Sequence, residues 1–321
     1  MLAALGKIEY VALSSLTRYR NHEFIQATAT DENVFIQNDG LHFKPTLQEE
    51  GLIMKNSTIS LPDCTGTSFF ECNAVTNTTN GTIVPPVKSG RIHTKKGASI
   101  TYGRVEVTAT LPRGDWLWPA IWMMPVDDTY GPWPRSGEID IMESRGNNWT
   151  YGQGGNNIMS SALHWGPDQP NDAWWRTNSK HEALHSSFAD KPHTYGLEWS
   201  QKYLYTYVDN RLLQVLYTPF KIPLWTRGRF PYADNNGTMI SNPWIRGSTS
   251  APFDQRFYLI INLAVGGTNG WFEDGKSGKP WVDTDETAPR DFWKARDIWT
   301  KTWEKGGEFV IHKVKMWQQI D

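Results

Sequence analysis

Short runs in which apolar and polar residues alternate recur along the chain, and segments rich in Gly, Pro, Asn and Asp separate them. Alternation with a period of two is typical of strands that bury one face. In the run over residues 101–111, the buried face would consist of Val105, Val107, Ala109 and Leu111. Similar runs occupy residues 160–165, 193–199, 203–208, 257–264 and 308–317. Only residues 289–303 show helical spacing, so the pattern predicts an all-β sandwich with a single helix.

The length of 321 residues is compatible with one large domain or two small ones, because all-β folds often exceed about 200 residues without dividing. The chain shows no internal repeat and no linker longer than a loop. We therefore expect one domain over residues 1–321. Hydrophobic residues make up 39% of the chain, which is enough to form its core. The longest apolar stretch, residues 257–265, contains Asn262 and is too short to span a membrane, so it predicts a core strand.

The overall charge is close to neutral, at −2 from 32 basic and 34 acidic residues. Such a chain has no global field that would attract nucleic acid or an anionic membrane surface, so the composition favours a neutral partner. Tryptophan and tyrosine are abundant, at 17 and 12 residues, and their rings can stack on the C–H faces of sugars. Many of these rings would instead fill the core, and the count alone leaves both uses open.

Cys64 and Cys72 are the two cysteines, and the residues between them include Gly66. This spacing suits a small loop closed by a disulfide, since a metal site would need further ligands nearby. Five Asn-x-Ser/Thr sequons, none with proline in the middle, begin at Asn56, Asn77, Asn80, Asn148 and Asn236. Each could carry a glycan. Together with the disulfide, the sequons predict a secreted protein that is extracellular or bound to a cell wall.

Three acidic residues, Glu138, Asp140 and Glu143, lie in the segment GEIDIMESRG, whose Ile and Met residues predict a strand. In a regular strand Glu138 and Asp140 face one side, while Glu143 points away. A β-bulge near Ile141 or Met142 would absorb the extra residue and turn Glu143 back to the same face. We therefore expect the three carboxyl groups to line one cleft.

Paired carboxyl groups hydrolyse glycosides with retention when they lie about 5–5.5 Å apart. Three acids in a poorly solvated cleft raise one another's pKa, so at least one proton is retained at neutral pH. This interpretation makes Glu138 the nucleophile, Glu143 the acid and then the base, and Asp140 the residue that orients Glu138 and shares its proton. The alternative, an exposed strand face solvated by acids, fits poorly with the apolar residues behind them and the tryptophans on the approach.

The segment over residues 118–146 resembles the catalytic motif of glycoside hydrolase family 16, in the laminarinase branch that also contains β-glucan recognition proteins. Further blocks similar to the family, which extend the similarity over most of the chain, are residues 89–112, 193–210 and 257–267. The resemblance implies a β-jelly-roll sandwich of two curved antiparallel sheets with an open substrate cleft. It also implies endo-acting, retaining hydrolysis of β-1,3-glucan or mixed β-1,3/1,4-glucan, with the same three acids in the same roles.

Two further residues match family positions near the acids. The resemblance implies that Trp133, five residues before Glu138, stacks on sugar in the minus subsites. His164, in the sequence ALHW, matches a family histidine near the catalytic acids. Without the family pattern, His164 could equally be a core histidine with its hydrogen bonds satisfied.

The less specific candidates for sugar contacts are a tryptophan and two arginines. Trp118 and Trp122 alternate with Ala120 and share a face; either ring could belong to the core, and we favour Trp118 for the cleft. Arg91 and Arg135 could donate hydrogen bonds to sugar hydroxyls, although an arginine in a loop of a sandwich is as often a surface ion-pair partner.

No cofactor is expected for catalysis, because hydrolysis by paired carboxyl groups needs no metal. Many family members hold a structural calcium with an Asp in the last strand, but His312 stands at that position here. Calcium prefers hard oxygen ligands, which disfavours such a site in this chain. The predicted partner is a β-glucan polysaccharide or oligosaccharide, and we expect a monomer that binds neither nucleic acid nor membrane.

Two other functions on the same fold stay open. A glucan-binding recognition protein without catalysis would use the cleft alone, but such relatives typically lack the carboxylates that are all present here. A transglycosylase would form the same covalent intermediate and pass the glycosyl group to another sugar instead of water. Release of reducing ends from laminarin separates the enzyme from a pure binder, and product sizing separates hydrolysis from transfer.

Overall fold

The computed structural model describes residues 11–12, 22–28, 30–61, 64–66 and 69–320, with the backbone alone at 11–12. Its strands are β1 Val11–Ala12, β2 Ile25–Thr28, β3 Val34–Gln37, β4 Gly40–Phe43, β5 Thr46–Leu47, β6 Ser57–Ser60, β7 Asn73–Thr76, β8 Val87–His93, β9 Ser99–Ile100, β10 Gly103–Thr110, β11 Leu117–Pro125, β12 Glu138–Ser144, β13 Ile158–His164, β14 Asn178–Glu182, β15 His193–Trp199, β16 Tyr203–Val208, β17 Gln214–Pro219, β18 Phe257–Val265 and β19 Phe309–Gln318. Its α-helices are α1 Glu50–Met54, α2 Phe69–Cys72, α3 Leu224–Gly228, α4 Ala288–Lys294 and α5 Arg296–Trp299. Single 3-10 turns occupy Gln169–Asn171, Trp174–Arg176 and Thr300–Thr302.

Two large sheets contain most of the strands. The first has the order β1, β2, β8, β18, β11, β12, β13, β14, with β5 beside β8 and β9 beside β18. The second has the order β17, β16, β15, β10, β19, β4, β3, and β6 pairs with β7 in a separate small sheet. Neighbouring strands in the two large sheets run antiparallel, except that β2 and β8 are parallel.

The apolar faces of the two large sheets pack into one core. Val105, Val107 and Ala109 of β10 are fully buried, as the alternation predicts. They belong to the same buried cluster as Ile139 and Ile141 of β12 in the other sheet. Removal of these side chains from water provides the main driving force for packing the sheets together. The prediction of an all-β sandwich with two large antiparallel sheets is confirmed.

The predicted helix over residues 289–303 forms as two short helices, α4 and α5, with the break at Ala295. Its apolar stripe lies in the core, where the rings of Phe292 and Trp299 stack with centroids 4.3 Å apart. The expectation of a single helix was wrong, because α1, α2 and α3 also form. These three helices have only four or five residues, too few for a periodic apolar pattern to show.

A small unit formed by α1, β6, β7 and α2 lies beside the main sandwich. Its own apolar cluster consists of Ile53, Ala74, Ile83, Val84 and Trp293. Cys64 and Cys72 form a disulfide in this unit, with Cα atoms 5.5 Å apart, so the predicted pairing is confirmed. In the part of the chain that the structure describes, no helix is both long and apolar enough to cross a membrane.

Candidate active site

The acidic motif lies on β12, and this strand has a bulge at the predicted place. On the side of β11, Asp140 pairs with Trp122 and Met142 pairs with Ile121, so Ile141 has no partner. The strand therefore contains one extra residue relative to its neighbour, which is the defining feature of a β-bulge. The predicted irregularity between the second and third acids is confirmed.

The bulge determines the direction in which Glu143 points. The apolar residues of the strand are all fully buried: Ile139, Ile141 and Met142. Glu138 and Glu143 are both partly exposed. Because two consecutive residues, 141 and 142, turn into the core, Glu143 returns to the outer face that carries Glu138 and Asp140. The three carboxyl groups thus share one face of the sheet.

Glu138 accepts a hydrogen bond from Trp133. The indole Nε1 of Trp133 lies 2.8 Å from Glu138 Oε2, and the Trp133 side chain is 37% exposed. Its ring centroid lies 5.7 Å from that of His164, which pairs with Glu138 across β12 and β13. The structure thus places Trp133 and His164 beside the first acid, and a sugar contact by Trp133 stays a prediction.

His164 lies between two carboxylates. Its Nε2 is 3.2 Å from Asp140 Oδ2, and its Nδ1 is 2.5 Å from Asp172 Oδ2. Burial alone would lower the pKa of His164, but the hydrogen bonds to Asp140 and Asp172 raise it well above its usual value. The two flanking carboxylates therefore favour the imidazolium form, which places a positive charge next to the nearly buried Asp140.

Glu143 accepts a hydrogen bond from Trp118, whose Nε1 lies 3.0 Å from Glu143 Oε1. The Trp118 ring is only 4% exposed, and it stacks on Trp271 with centroids 4.8 Å apart and an interplanar angle of 11°. One face of Trp118 is therefore occupied, and its polar edge contacts the third acid. A sugar contact by Trp118 stays a prediction.

Both glutamates have a raised pKa. Burial and the charge of Asp140 raise the pKa of Glu138 well above its usual range, and the same two causes raise that of Glu143 to about 8. Carboxyl groups that crowd a poorly solvated site cannot all ionise together. At neutral pH the pair thus retains at least one proton, so the site can supply one acid and one carboxylate.

Arg91 and Trp122 lie on the same face of the sheet as the acids. Arg91 pairs with Asn262 across β8 and β18, and its guanidinium lies 4.7 Å from the centre of the Trp122 ring. Trp122 donates to Asn262 Oδ1 at 2.7 Å and sits opposite Asp140. Trp122 therefore belongs to this face as much as Trp118 does, although sequence reasoning favoured Trp118.

Arg135 lies in the loop before β12 and is exposed. Its Nε donates to the backbone carbonyl of Pro167, and its own carbonyl accepts from Trp244 Nε1 at 2.6 Å. These contacts join the loop before β12 to the loop after β13 and to the segment between α3 and β18. Hydrogen bonds from Arg135 or Arg91 to sugar hydroxyls stay predictions.

Sequence reasoning missed several neighbours of the acids. Asp172 and Trp174 follow His164 closely, and the Trp174 ring lies 6.3 Å from that of His164; a search of this loop for acids and aromatics could have found them. Arg145 and Trp271 are 126 residues apart in sequence. No local pattern links them, so only the fold brings them together.

Two places in the described part of the chain bear on metal binding. Among the described residues, Glu138, Asp140 and His164 offer ligand atoms within 4.8 Å of one another. A histidine must be neutral to bind a metal, whereas the carboxylates of Asp140 and Asp172 on either side of His164 favour its charged form. The same three residues have the charge and position to act in acid-base chemistry without a metal.

The position that the family resemblance assigns to calcium is occupied by His312. Its Nδ1 donates to the backbone carbonyl of Asp39 at 2.7 Å, and its Nε2 lies 2.8 Å from Thr110 Oγ1. An imidazole N–H on that carbonyl replaces the hard oxygen that calcium prefers. The residues at this place do not fit calcium, and the absence of a structural calcium stays a prediction.

The asparagines of all five sequons are exposed: Asn56, Asn77, Asn80, Asn148 and Asn236. In three of them, Asn77, Asn80 and Asn148, the side-chain oxygen accepts from the backbone N–H of the threonine two residues later. Each site is accessible to a glycosylating enzyme. Attachment of glycans stays a prediction.

The family of the chain follows from a match to a family model. Residues 26–258 match the model described as Glycosyl hydrolases family 16. The chain belongs to this family. The matched region includes β12 with its three acids, and the resemblance inferred from the sequence motifs is confirmed.

Several curated proteins are similar in sequence. A β-1,3-glucan-binding protein of Penaeus monodon is 45% identical over 259 residues, which are 80% of this chain and 67% of that protein. β-1,3-Glucan-binding protein 1 of Manduca sexta is 33% identical over 280 residues, 85% of this chain and 53% of that protein. Glucan endo-1,3-β-glucosidase A1 of Niallia circulans is 36% identical over 194 residues, 59% of this chain and 23% of that protein. The chain thus spans only part of the length of these relatives.

Solved structures of laminarinases share the fold. The laminarinase catalytic domain of Thermotoga maritima superposes with a TM-score of 0.59 and 18% identity, covering 99% of this chain and 93% of that one. The laminarinase of Rhodothermus marinus gives a TM-score of 0.57 and 21% identity, covering 99% and 96%. At this level of identity the likeness concerns the fold alone, and it confirms the predicted jelly roll.

Proposed function

We propose that this chain is a retaining endo-hydrolase of β-1,3-glucan, with Glu138 as the nucleophile and Glu143 as the acid/base. The observation that carries the proposal is the bulged strand, which presents both glutamates on one face with Asp140 between them. Each glutamate accepts an indole N–H, Glu138 from Trp133 and Glu143 from Trp118. A solvated strand face would not fix two carboxyl groups in this way.

The reaction has two displacements. Ionised Glu138 attacks the anomeric carbon and forms a glycosyl ester, while Glu143 gives its proton to the glycosidic oxygen as that bond breaks. Glu143, now a carboxylate, takes a proton from water, which attacks the same carbon and releases Glu138. Each displacement inverts the anomeric centre, so the product retains its configuration. Asp140, beside His164, orients Glu138 and shares its proton, so that Glu138 can be ionised when it attacks.

β-1,3-Glucan is proposed as the substrate for two reasons. Relatives that are 45% and 36% identical are named after binding or cleaving this glucan. The Trp174 ring lies near His164 and is 46% accessible, and such a ring can stack on the apolar face of a neutral sugar. Mixed β-1,3/1,4-glucan is the second substrate to test.

The second candidate is a β-glucan-binding protein without turnover. It is favoured by the names of relatives such as those of Penaeus monodon and Manduca sexta. We rank it below hydrolysis because a protein that only binds has no need of three crowded acids, two of which have a raised pKa.

We further propose that the protein is a secreted, glycosylated monomer and that residues 1–321 form one catalytic domain. The disulfide between Cys64 and Cys72 supports an oxidising compartment. The five exposed sequon asparagines support passage through a glycosylating pathway. The proposed glycosylation is tested by mass spectrometry of the secreted protein before and after enzymatic deglycosylation. An unchanged mass would contradict it.

The proposed activity is tested by measuring reducing ends released from laminarin. The wild-type chain should release them, and Glu138→Gln should abolish release while still binding laminarin. Glu106→Gln is the matched control, because Glu106 lies on β10 of the other sheet and its carboxylate accepts a hydrogen bond from Tyr207. Laminarin binding by the wild type without any release would favour the second candidate.

A further inference from the structure

Arg145 is a buried cation in an unusual setting. It directly follows β12, two residues after Glu143, and only 7% of it is exposed. Its Nε and Nη2 donate to the backbone carbonyl of Trp271 at 3.0 and 2.7 Å. Among the described residues, no carboxylate lies within ion-pair distance of it. Burial of a charge without an ion pair is costly, so the position calls for a compensating role.

The Arg145 guanidinium is one end of a row of contacts that leads to Glu143. It lies 4.1 Å from the centre of the Trp271 ring. Trp271 stacks in turn on Trp118, with centroids 4.8 Å apart. The indole N–H of Trp118 ends the row at Glu143 Oε1, at 3.0 Å. A displacement at either Arg145 or Trp271 would therefore move the hydrogen-bond donor of Glu143.

The loop that carries Trp271 is also fixed from its other end. Lys279, whose side chain is fully buried, donates to the Phe272 carbonyl at 2.8 Å and pairs with Asp274 and Asp283. Arg145 also donates toward the carbonyls before β13, at Gly154. Arg145 and Lys279 thus bind consecutive carbonyl groups, those of Trp271 and Phe272. These hydrogen bonds hold the Trp271 ring in place against Trp118.

The charge on Glu143 changes twice in each proposed catalytic cycle. Burial and Asp140 raise the pKa of Glu143 to about 8, while His164, Trp118 and Arg145 oppose that rise. Two other charged groups face Glu143. Glu138 lies on the same strand, and Lys180 lies on β14, where it pairs with Ser160, the β13 partner of Glu143. Arg145 is the cation nearest to Glu143 along the chain.

We propose that Arg145 and Trp271 are positioning residues for the acid/base: they hold the Trp118 N–H on Glu143 and place a positive charge beside its ionised form. The inference rests on the proposed hydrolysis for its catalytic meaning. A purely structural role would predict that Arg145 only fixes the loop at Trp271. The two possibilities differ in whether the charge of residue 145 affects the ionisation of Glu143.

The test compares Arg145→Met, which removes the charge, with Arg145→Lys, which keeps the charge but loses the planar fork. Glu143 must be protonated to act first as an acid, so its pKa sets the alkaline limb of the pH profile of kcat/KM. In Arg145→Met the alkaline limb of the pH profile should move to higher pH. Activity on laminarin should fall roughly tenfold, because the variant loses part of the rate enhancement that a general acid provides. In Arg145→Lys the limb should stay close to that of the wild type.

The matched control is Arg104→Met. Arg104 also lies over a tryptophan, 4.0 Å from the Trp317 ring, but on the other sheet. This variant should leave the alkaline limb in place. If Arg145→Met does not fold, Trp271→Leu serves instead, since it removes the ring between Arg145 and Trp118 and should also raise the limb.

A direct titration separates failure of this inference from failure of the proposed function. The Glu143 carboxyl can be followed by 13C NMR in protein labelled at the glutamate Cδ atoms, with assignment by the signal lost in Glu143→Gln. This measurement does not require turnover. An upward shift of the Glu143 titration in folded Arg145→Met supports the inference even if laminarin is not cleaved. An unchanged titration and an unchanged limb in folded variants would overturn it.

Discussion

Replacing Glu143 with glutamine should stabilise the fold at pH 8 and leave its stability nearly unchanged at pH 4. The change keeps the shape of the side chain and the acceptor for the Trp118 N–H, which lies 3.0 Å from Oε1. What it removes is the ability to ionise. The substitution therefore measures how much the folded state is destabilised because the carboxyl group of residue 143 has to stay protonated in the site.

The sign follows from the two states of the carboxyl group. Its ordinary pKa is 4.5, while burial and Asp140 raise the pKa to about 8 in the folded protein. Between these values the folded state keeps a proton that the unfolded state has lost, so the free energy of unfolding falls as the pH rises. The full decrease in the free energy of unfolding is reached above the pKa of Glu143 in the folded protein. Below its pKa in the unfolded chain there is no decrease.

The size follows from the same two values. A tenfold change in a proton equilibrium corresponds to about 1.4 kcal/mol, so the full effect at pH 8 is on the order of 4 kcal/mol. Glu143 is partly exposed and shares protons with neighbouring acids, which reduces the effect. We expect a measured gain of roughly 2–4 kcal/mol.

The assay is urea unfolding at pH 4 and pH 8, followed by tryptophan fluorescence with the disulfide intact. The midpoint of Glu143→Gln should rise at pH 8 with an unchanged slope, which indicates a change in stability and not in compactness. Glu106→Gln on the opposite sheet is the control and should show no gain. An equal effect at both pH values, or a loss of stability at pH 8, would refute the reasoning that Glu143 is held protonated.

Three further results are expected. Trp133→Phe removes the N–H that Glu138 accepts at 2.8 Å but keeps an aromatic ring, so kcat/KM for laminarin should fall in a folded protein; unchanged kinetics would mean that this hydrogen bond does not orient the nucleophile. Asp172→Asn removes one of the two carboxylates on His164, so the pKa of His164 should fall, which 15N NMR of the imidazole can measure; an unchanged titration would contradict the proposed pairing. Cys72→Ala opens a loop closed over a sequence separation of 8, and the free energy of unfolding should fall by about 2 kcal/mol; no change in the urea midpoint would contradict it.

The strand pattern and the bulge were predictable because both depend on local periodicity. Alternation in β10 fixes which residues enter the core, and Val105 and Val107 are fully buried there. The spacing of Glu138, Asp140 and Glu143 violates that alternation by one residue. A strand that carries all three acids on one face needs a β-bulge between the second and third acid, and the bulge lies at Ile141.

The partners of the acids were less predictable, because they come from loops that the fold brings together. Trp271 reaches Trp118 from the loop after β18, and the spacing of the sequence contains no sign of this contact. Trp122 is a milder case. Its face was predicted, but the alternation in β11 cannot tell a ring that lines a cleft from one that is covered by a loop.

The stereochemistry of the first product tests the proposed mechanism most directly. Proton NMR of a laminarin oligosaccharide, recorded within the first minutes after the protein is added, distinguishes the two anomers before they interconvert. Double displacement through Glu138 predicts that the β-anomer appears first and that Glu138→Gln gives neither anomer. The α-anomer as first product, or a folded protein that binds the oligosaccharide and leaves it intact, would contradict the proposed reaction.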